Sequence, residues 1–280
     1  MKASDISEKV ELIPTPVASL NVILGGGIPV GLITEIAGPP GVGKSTLALQ
    51  VLAQAQRMGK PTYYGDAERA KGFVLFATAA GVDCTQLEYD KQPYAELLLQ
   101  NIVDFIVGKK KQGGAWEVKP HKNAVIVVDA VGALHGRQEA EKDIESKDIG
   151  IQSRMIAKFC RVLVPLIDDN NCALIMVNHT YIDMATTAIK SSGGAKLDYH
   201  KGLALWLKKA YGKQDKRSAD GTKTIRFIEA EIRNKAKYPG AFDGAKVTIE
   251  LVPKQGFVGE FISAPQPKPR GRPKKTETIS

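Results

Sequence analysis

The sequence predicts an α/β fold in which helices flank a mainly parallel central sheet, with antiparallel edge strands towards the C-terminus. Residues 124–129 and 173–178 are apolar runs rich in β-branched residues without polar alternation, as is typical of strands buried on both faces of a parallel sheet. Helical segments separate these runs from each other and from an earlier strand that ends in a glycine-rich loop. After residue 200 the strands are separated by turns, which favours antiparallel pairing there.

The individual elements follow from local signals. A strand at 32–37 leads to a helix that begins at Lys44 and ends at Gly59, and a short strand follows at 61–65. Helices at 93–108 and 149–169 precede the two apolar runs, and three further strands are predicted at 203–207, 224–232 and 246–251. We therefore expect a short N-terminal segment (1–12), one core domain (13–262) and a disordered basic tail (263–280).

Composition limits the class of protein. With 280 residues, of which 43% are apolar, the chain can bury one substantial core. No apolar run reaches about 18 residues, and the first residues lack the apolar stretch of a signal peptide, so we expect a soluble cytoplasmic protein with no membrane partner. Cys84, Cys160 and Cys172 are far apart with apolar neighbours, which favours reduced core thiols over a disulfide or zinc framework.

The basic charge is concentrated at the C-terminal end. The formal net charge is +9, and after Ser263 five basic residues face one acidic residue, Glu277. The basic residues are Lys268, Arg270, Arg272, Lys274 and Lys275. Such a chain favours a polyanionic partner, although charge alone does not identify nucleic acid.

A phosphate-binding motif lies between the first predicted strand and the helix after it. Residues 38–45 fit the pattern G-x-x-x-x-G-K-[ST]; they are Gly38, Pro39, Pro40, Gly41, Val42, Gly43, Lys44 and Ser45. Glycines let backbone N–H groups surround phosphates, and the helix N-terminus adds positive potential. Lys44 is expected to reach the β- and γ-phosphates, and Ser45 to bind Mg²⁺. We assign residues 38–46, ending at Thr46, to a site for ATP and Mg²⁺.

Two acidic positions follow predicted strands. Asp129 ends a buried strand and suits a magnesium-site carboxylate, although an Asp there can also cap a turn. Glu68, in Asp66-Ala67-Glu68, follows the strand at 61–65. We expect that strand to lie next to the strand at 32–37, so that Glu68 can position and deprotonate a water in line with the γ-phosphate. The alternative is a solvated surface acid.

Taken together, these blocks resemble the RecA family of DNA strand-exchange recombinases over about residues 10–260. The matching blocks are residues 35–45, 66–68, the strand ending in Asp129, and residues 149–155, 191–194 and 232–235. The resemblance implies a RecA-like P-loop NTPase core and an ATPase that assembles on single-stranded DNA and pairs it with a homologous duplex. Single-strand-binding and mediator proteins would assist it.

The resemblance also assigns roles to individual residues. Glu68 would be the hydrolytic base, residues 136–150 the first DNA-binding loop and residues 180–194 the second. The residues placed at DNA are Arg154, Arg161, Gly193 and Gly194, of which the two glycines would permit close approach to a DNA backbone. Arg233 and Lys235 would reach across a subunit interface to the neighbour's ATP, as an arginine finger does.

The chain departs from the bacterial pattern in places. Asn178-His179 stands where those enzymes have Asn-Gln, and with Thr180-Tyr181 it resembles the bacteriophage UvsX-type recombinases. His179 would then sense the γ-phosphate and relay its presence to the second loop; the alternative is an ordinary satisfied polar residue. Because the usual N-terminal packing segment is short here, helical filament, ring and monomer all remain open.

The basic tail has its own resemblance. Residues 269–273, which contain Arg270 and Arg272, resemble the AT-hook, an extended peptide that places Arg-Gly-Arg in an AT-rich minor groove. A generic basic tail is the alternative. For the whole chain, a ring-forming helicase or translocase and an ATP-switched annealing or scaffold protein are the two alternatives to a recombinase.

Overall fold

The computed structural model describes residues 10–112, 114–137, 151–184, 186–192, 194–218, 221–222, 224–233 and 238–258. In chain order the first elements are β1 (Leu12–Ile13), α1 (Ala18–Ile23), β2 (Ile28–Pro29), β3 (Ile33–Gly38), α2 (Lys44–Arg57), β4 (Thr62–Asp66), α3 (Phe73–Ala79), β5 (Leu87–Asp90), α4 (Ala95–Val107), β6 (Lys109–Lys110) and β7 (Trp116–Val118). They are followed by β8 (Val125–Asp129), α5 (Ile151–Asp169), β9 (Ala173–Ile182), β10 (Ile189–Ser191), α6 (Gly194–His200), β11 (Lys201–Lys209), β12 (Lys216–Arg217), β13 (Thr224–Ile232), β14 (Lys246–Val252) and β15 (Gly256–Val258).

A single large sheet organises the fold. Its strand order is β15-β14-β13-β11-β3-β9-β8-β4-β5, with β10 paired to β9 and β12 paired to β13. Neighbouring strands from β11 to β5 are parallel. The strands from β11 outward through β13 and β14 to β15 are antiparallel. This arrangement confirms the predicted mainly parallel sheet with antiparallel strands towards the C-terminus.

The central strands separate two apolar cores. Along β8, Val125 and Val127 belong to the core that contains α1, α2 and α3, whereas Ile126 and Val128 belong to the core beneath α4 and α5. Alternate side chains of a strand point to opposite faces, so a strand covered by helices on both sides needs apolar residues at every position. The uninterrupted apolar runs that the sequence displays are the direct result.

The predicted position of β4 was wrong. We expected it beside β3, but β9 and β8 lie between the two strands. Helix α2, which connects them, has 14 residues and is therefore about 21 Å long. Three strand spacings amount to about 14 Å, so the helix can pass over both intervening strands. Those central places are taken by β8 and β9, whose first five residues are all buried.

Several short elements went unpredicted, including α3, β5, the β6–β7 hairpin and β15. Strand β9 also continues beyond Asn178 to Ile182 and pairs there with β10. All three cysteines are free thiols; Cys160 and Cys172 lie in the core as predicted, whereas Cys84 is only half-buried. Burial raises the pKa of Cys160 to about 12. Within the described residues, no helix is both long and apolar enough to cross a membrane.

Candidate functional site

The loop between β3 and α2 forms one wall of the candidate site. Gly43 precedes α2 with φ of 88°, and no side chain caps the helix. A Cβ at Gly43 would come within 2.8 Å of the Phe257 ring, so both the backbone conformation and the packing require glycine. The first N–H groups of α2 are left without side-chain acceptors, which is the arrangement that binds anions at a helix N-terminus.

Lys44 lies folded into this loop. Its side chain is buried and Nζ donates to the carbonyl oxygen of Pro39 at 3.0 Å. Burial lowers the pKa of Lys44, while the nearby carboxylates of Asp129 and Glu68 act in the opposite direction. Arg226 of β13 donates to the carbonyl oxygen of Gly41 at 3.2 Å. Sequence reasoning missed Arg226, because no local pattern links it to a loop so far back in the chain.

Asp129 lies at the carboxyl end of β8 and is held from two sides. The Tyr64 hydroxyl donates to Asp129 Oδ2 at 2.5 Å, and the Ser45 hydroxyl also hydrogen-bonds the carboxylate. Burial raises the pKa of Asp129, and the hydrogen bonds from Ser45 and Tyr64 counteract this. The structure therefore brings together Ser45 and Asp129, the two predicted magnesium ligands, and adds Tyr64, which sequence reasoning missed.

Glu68 and His179 meet across the site. Glu68 follows β4, His179 belongs to β9, and His179 Nε2 lies 2.7 Å from Glu68 Oε1. Because a carboxylate oxygen only accepts hydrogen bonds, Nε2 carries the hydrogen. The Glu68 side chain is 43% exposed and the His179 side chain is 40% exposed. Despite the unexpected strand order, the carboxyl ends of β4 and β9 bring the predicted base and the predicted sensor into contact.

A buried polar network continues from His179 to the second loop. Asn178 donates from Nδ2 to Glu35 Oε1 at 2.8 Å and to the carbonyl oxygen of Ser192 at 2.6 Å. Its Oδ1 accepts from the His179 backbone N–H at 2.9 Å. Glu35 Oε2 in turn pairs with Lys201 Nζ at 2.7 Å, and both side chains are almost fully buried. These hydrogen bonds fix the Asn178 amide in one orientation, and the bond to Ser192 holds the end of the predicted second loop.

These residues border a cavity of about 940 Å³. Its polar lining residues include Lys44, Ser45, Glu68, Asp129 and His179. Apolar residues of α3, of β14 and of the turn after β14 also line the cavity; they include Leu75, Phe76, Ala79, Leu251 and Pro253. Leu75 is 80% exposed and Phe76 43% exposed. A cavity lined by both a phosphate-type loop and open apolar side chains suits a nucleotide with a flat base.

Arg233 lies away from this cavity. Its guanidinium bonds Glu231 at 3.0 Å and stacks over the Trp206 ring at 4.4 Å. Strand β13 runs antiparallel to β11, so Arg233, just after its end, lies towards the opposite edge of the sheet. Within one chain it does not line the nucleotide cavity.

Two of the predicted DNA contacts lie together on α5. Arg154 and Arg161 border a second cavity of about 360 Å³ with His200 of α6. Gly194 begins α6. The hairpin formed by β9 and β10 exposes Tyr181, Ile182, Met184 and Ile189, and Lys190 pairs with Asp183. The described part of the predicted second loop therefore forms an exposed hairpin.

Some predicted residues lie outside the described residues. They are Gly193, Lys235, residues 138–150 of the first loop, residues 1–9, and the tail with Arg270 and Arg272.

Comparison with known proteins decides the family. Residues 1–251 match the RecA N-terminal domain. The chain belongs to the RecA family. It is 33% identical to Protein RecA of Ehrlichia ruminantium over 261 residues, which cover 91% of this chain and 68% of that protein. It is also 34% identical to the mitochondrial DNA repair protein recA homolog of Dictyostelium discoideum over 207 residues, 72% of this chain and 43% of that protein. This RecA-family chain thus matches less than half of the Dictyostelium relative.

Proposed function

We propose that this protein is an ATP-dependent, DNA-binding recombinase that pairs single-stranded DNA with a homologous duplex in recombination and repair. The observation that carries the proposal is the contact between Glu68 and His179 at 2.7 Å. This contact links the carboxylate that we propose as the hydrolytic base to β9, the strand that continues into the hairpin proposed to hold DNA. The name of the Dictyostelium relative, a DNA repair protein, supports a role with DNA.

The residues present fit a magnesium nucleotide. Ser45 and the buried Asp129 offer hard oxygen donors beside Lys44 and the uncapped start of α2. These donors support the proposed assignment of residues 38–46, from Gly38 to Thr46, and of Asp129 to a site for ATP and Mg²⁺. Ser45 and Asp129 would hold the magnesium, which would offset the negative charge of the phosphates. Lys44 would leave the carbonyl oxygen of Pro39 to hold the terminal phosphates.

Glu68 performs the proton transfer in this proposal. Its carboxylate orients a water towards the γ-phosphate and takes up a proton as the water oxygen bonds to the γ-phosphorus. The bond from that phosphorus to the bridging oxygen breaks at the same time, and the products are ADP and inorganic phosphate. His179 Nε2 holds one carboxylate oxygen, which leaves the other oxygen for the water. Because the His179 backbone N–H also binds the fixed Asn178 amide, a change at the γ-phosphate can pass through His179 and Asn178 to Ser192.

Assembly would complete the site. Arg233 lies towards the far edge of its own sheet, where it could face a neighbour's cavity, and we propose that Arg233 and Lys235 act across an interface between subunits. Arg154 and Arg161 would contact DNA phosphates beside the first loop, and Gly193 and Gly194 would admit the backbone at the second. We further propose a UvsX-like ancestry for the Asn178-His179 pair, an AT-hook role for Arg270 and Arg272, and a cytoplasmic location.

Electron microscopy tests the proposal. The protein is imaged with single-stranded DNA and a non-hydrolysable ATP analogue, with DNA alone as the control. Helical filaments are the expected result, and strand exchange between a single strand and a homologous duplex would then be measured. Closed rings would instead support the hypothesis of a helicase. If neither filaments nor rings form on the DNA, the result would support an annealing or switch protein.

Removing the Tyr64 hydroxyl is expected to weaken magnesium-dependent nucleotide binding. Tyr64→Phe deletes one of the two side-chain hydrogen bonds to the buried Asp129 carboxylate, and a hydrogen bond to a charged group contributes about 1.5–3 kcal/mol. We expect the Mg²⁺ concentration for half-maximal binding of a fluorescent ATP analogue to rise by about tenfold.

Tyr89→Phe is the matched control. Its hydroxyl donates to Asp66 Oδ2 at 2.6 Å on the neighbouring strand, and Tyr89 does not line the nucleotide cavity. Equal magnesium dependence in the two variants would show that Tyr64 does not position Asp129.

A further inference from the structure

A short hairpin projects from the sheet edge opposite the nucleotide cavity. It consists of β6 and β7, pairing Lys109 with Val118 and Lys110 with Trp116. The hairpin precedes β8 in the chain and therefore lies near the amino end of β8, which starts at Val125. The phosphate loop follows the carboxyl end of β3. Because β3 and β8 both run parallel to β9, the amino end of β8 and the carboxyl end of β3 lie at opposite edges of the sheet. A five-residue strand spans about 16 Å. The hairpin is therefore a separate surface from the nucleotide cavity.

The hairpin is firmly attached at its base. The His121 ring stacks on Phe105 of α4 with ring centroids 4.4 Å apart and an interplanar angle of 12°. The His121 backbone N–H donates to the carbonyl oxygens of Phe105 and Ile106 at 3.0 and 3.1 Å. Trp116 packs over Gly108, where a Cβ would lie 2.5 Å from the ring. These contacts hold the hairpin in a fixed direction, although the strands themselves contribute no residue to either apolar core.

Lysines dominate the exposed surface of this hairpin. Residues 109–122 contain five lysines and one acidic residue, Glu117. Lys109 lies near Asp104 and Glu117, at 3.9 and 3.5 Å. Lys111, Lys119 and Lys122 are exposed and have no carboxylate partner in the part of the chain that the structure describes. Since neither core packing nor ion pairing explains these three charges, they are available to a polyanion.

The aromatic residue indicates which polyanion fits. Proteins that hold single strands stack bases on open aromatic faces. Trp116 is 45% exposed, but Lys110 Nζ lies over its ring, 4.9 Å from the centroid, and an edge of the ring packs against Gly108. The hairpin thus offers one aromatic ring, with a lysine over one face, among five lysines, so that ammonium groups dominate its surface. Contacts of this kind suit the phosphates of a duplex, which carries one charge per about 1.7 Å of its axis.

From these observations we infer that the β6–β7 hairpin, with Lys111, Lys119 and Lys122, binds the phosphate backbone of duplex DNA. This deepens the proposed function and rests on it, because a recombinase must hold a duplex besides its single strand. The hairpin supplies a sequence-independent contact at the sheet edge opposite the cavity.

Neutralising the three lysines tests the inference on the full chain. Duplex affinity is measured by fluorescence anisotropy over a salt series for wild type and for Lys111→Gln/Lys119→Gln/Lys122→Gln. Each phosphate contact contributes about 0.9 to the slope of log affinity against log salt, so the slope should fall by about 2–3. Affinity at moderate salt should fall about tenfold or more. Single-strand affinity should change less, and binding of a fluorescent ATP analogue should stay unchanged.

Two control variants make the result specific. Lys91→Gln/Lys209→Gln/Lys213→Gln removes the same charge from exposed positions elsewhere and should keep the wild-type slope. Replacing Lys111, Lys119 and Lys122 with arginine should also keep it. Two results would overturn the inference. The first is a glutamine triple variant of the hairpin whose salt slope for duplex DNA equals that of the Lys91→Gln/Lys209→Gln/Lys213→Gln control. The second is a loss of single-strand affinity as large as the loss of duplex affinity. Wild-type protein without duplex affinity would overturn it too, whereas failure of the recombinase proposal would appear separately, as missing filaments on single strands.

Discussion

Glu68→Gln should leave ATP binding intact and reduce ATP hydrolysis by at least about 100-fold, the usual contribution of a positioned general base. The amide keeps the shape of the side chain, and its oxygen still accepts from His179 Nε2, which lies 2.7 Å from the carboxylate. It cannot take up a proton from water. Phosphate release under single-turnover conditions and affinity for a fluorescent ATP analogue measure the two effects separately.

A second carboxylate provides the control for this variant. Glu88 is exposed on β5 and does not line the cavity, so Glu88→Gln should hydrolyse ATP at the wild-type rate. Normal turnover in Glu68→Gln would contradict the assignment of the base. Loss of nucleotide affinity in Glu68→Gln would indicate that the carboxylate supports the structure of the site instead.

Lys201→Met is expected to destabilise the fold by about 3–5 kcal/mol, because it leaves Glu35 buried without its cation. The Lys201 side chain is 3% exposed and that of Glu35 is 0% exposed. Burial acts against the Lys201 ammonium, but Glu35 and Asp198 raise its pKa above the ordinary value. A lower midpoint of urea unfolding measures the loss.

The double variant Glu35→Gln/Lys201→Met separates charge from packing. It removes the unpaired carboxylate charge and retains an oxygen that can accept from Asn178. We expect it to recover at least half of the lost stability, since replacement of both partners of a buried pair is far less costly than loss of one. If the double variant were as unstable as Lys201→Met, unpaired charge would not be the cause.

Local signals predicted the parts of the fold that depend on short stretches of chain. The phosphate loop was identified from residues 38–45, and β8 and β9 from apolar runs that both cores require. The place of β4 could not be predicted, because local sequence does not fix how many strands a connecting helix crosses. Strand β6 consists of two lysines and β7 of only three residues, Trp116-Glu117-Val118, so neither is long enough to show an apolar periodicity.

In the candidate site, too, local signals identified some residues and missed those that depend on contacts between distant parts of the chain. Lys44, Ser45, Glu68 and Asp129 were found from motif and strand-end position, and the cavity brings them together. The hydrogen bond from Tyr64 to Asp129 joins residues 65 positions apart, and that from Lys201 to Glu35 joins residues 166 positions apart. Contacts at such separations arise from the order of strands in the sheet, so no local pattern could indicate them.

The direction of β13 has a kinetic consequence. Since Arg233 lies towards the edge opposite its own cavity, an isolated subunit would hold a nucleotide without the cation proposed to stabilise its reaction. Turnover per subunit would then rise with protein concentration until neighbours meet and level off afterwards. Crowding subunits onto a DNA strand would raise the rate in the same way, so DNA would stimulate hydrolysis through local concentration even before any change within the subunit.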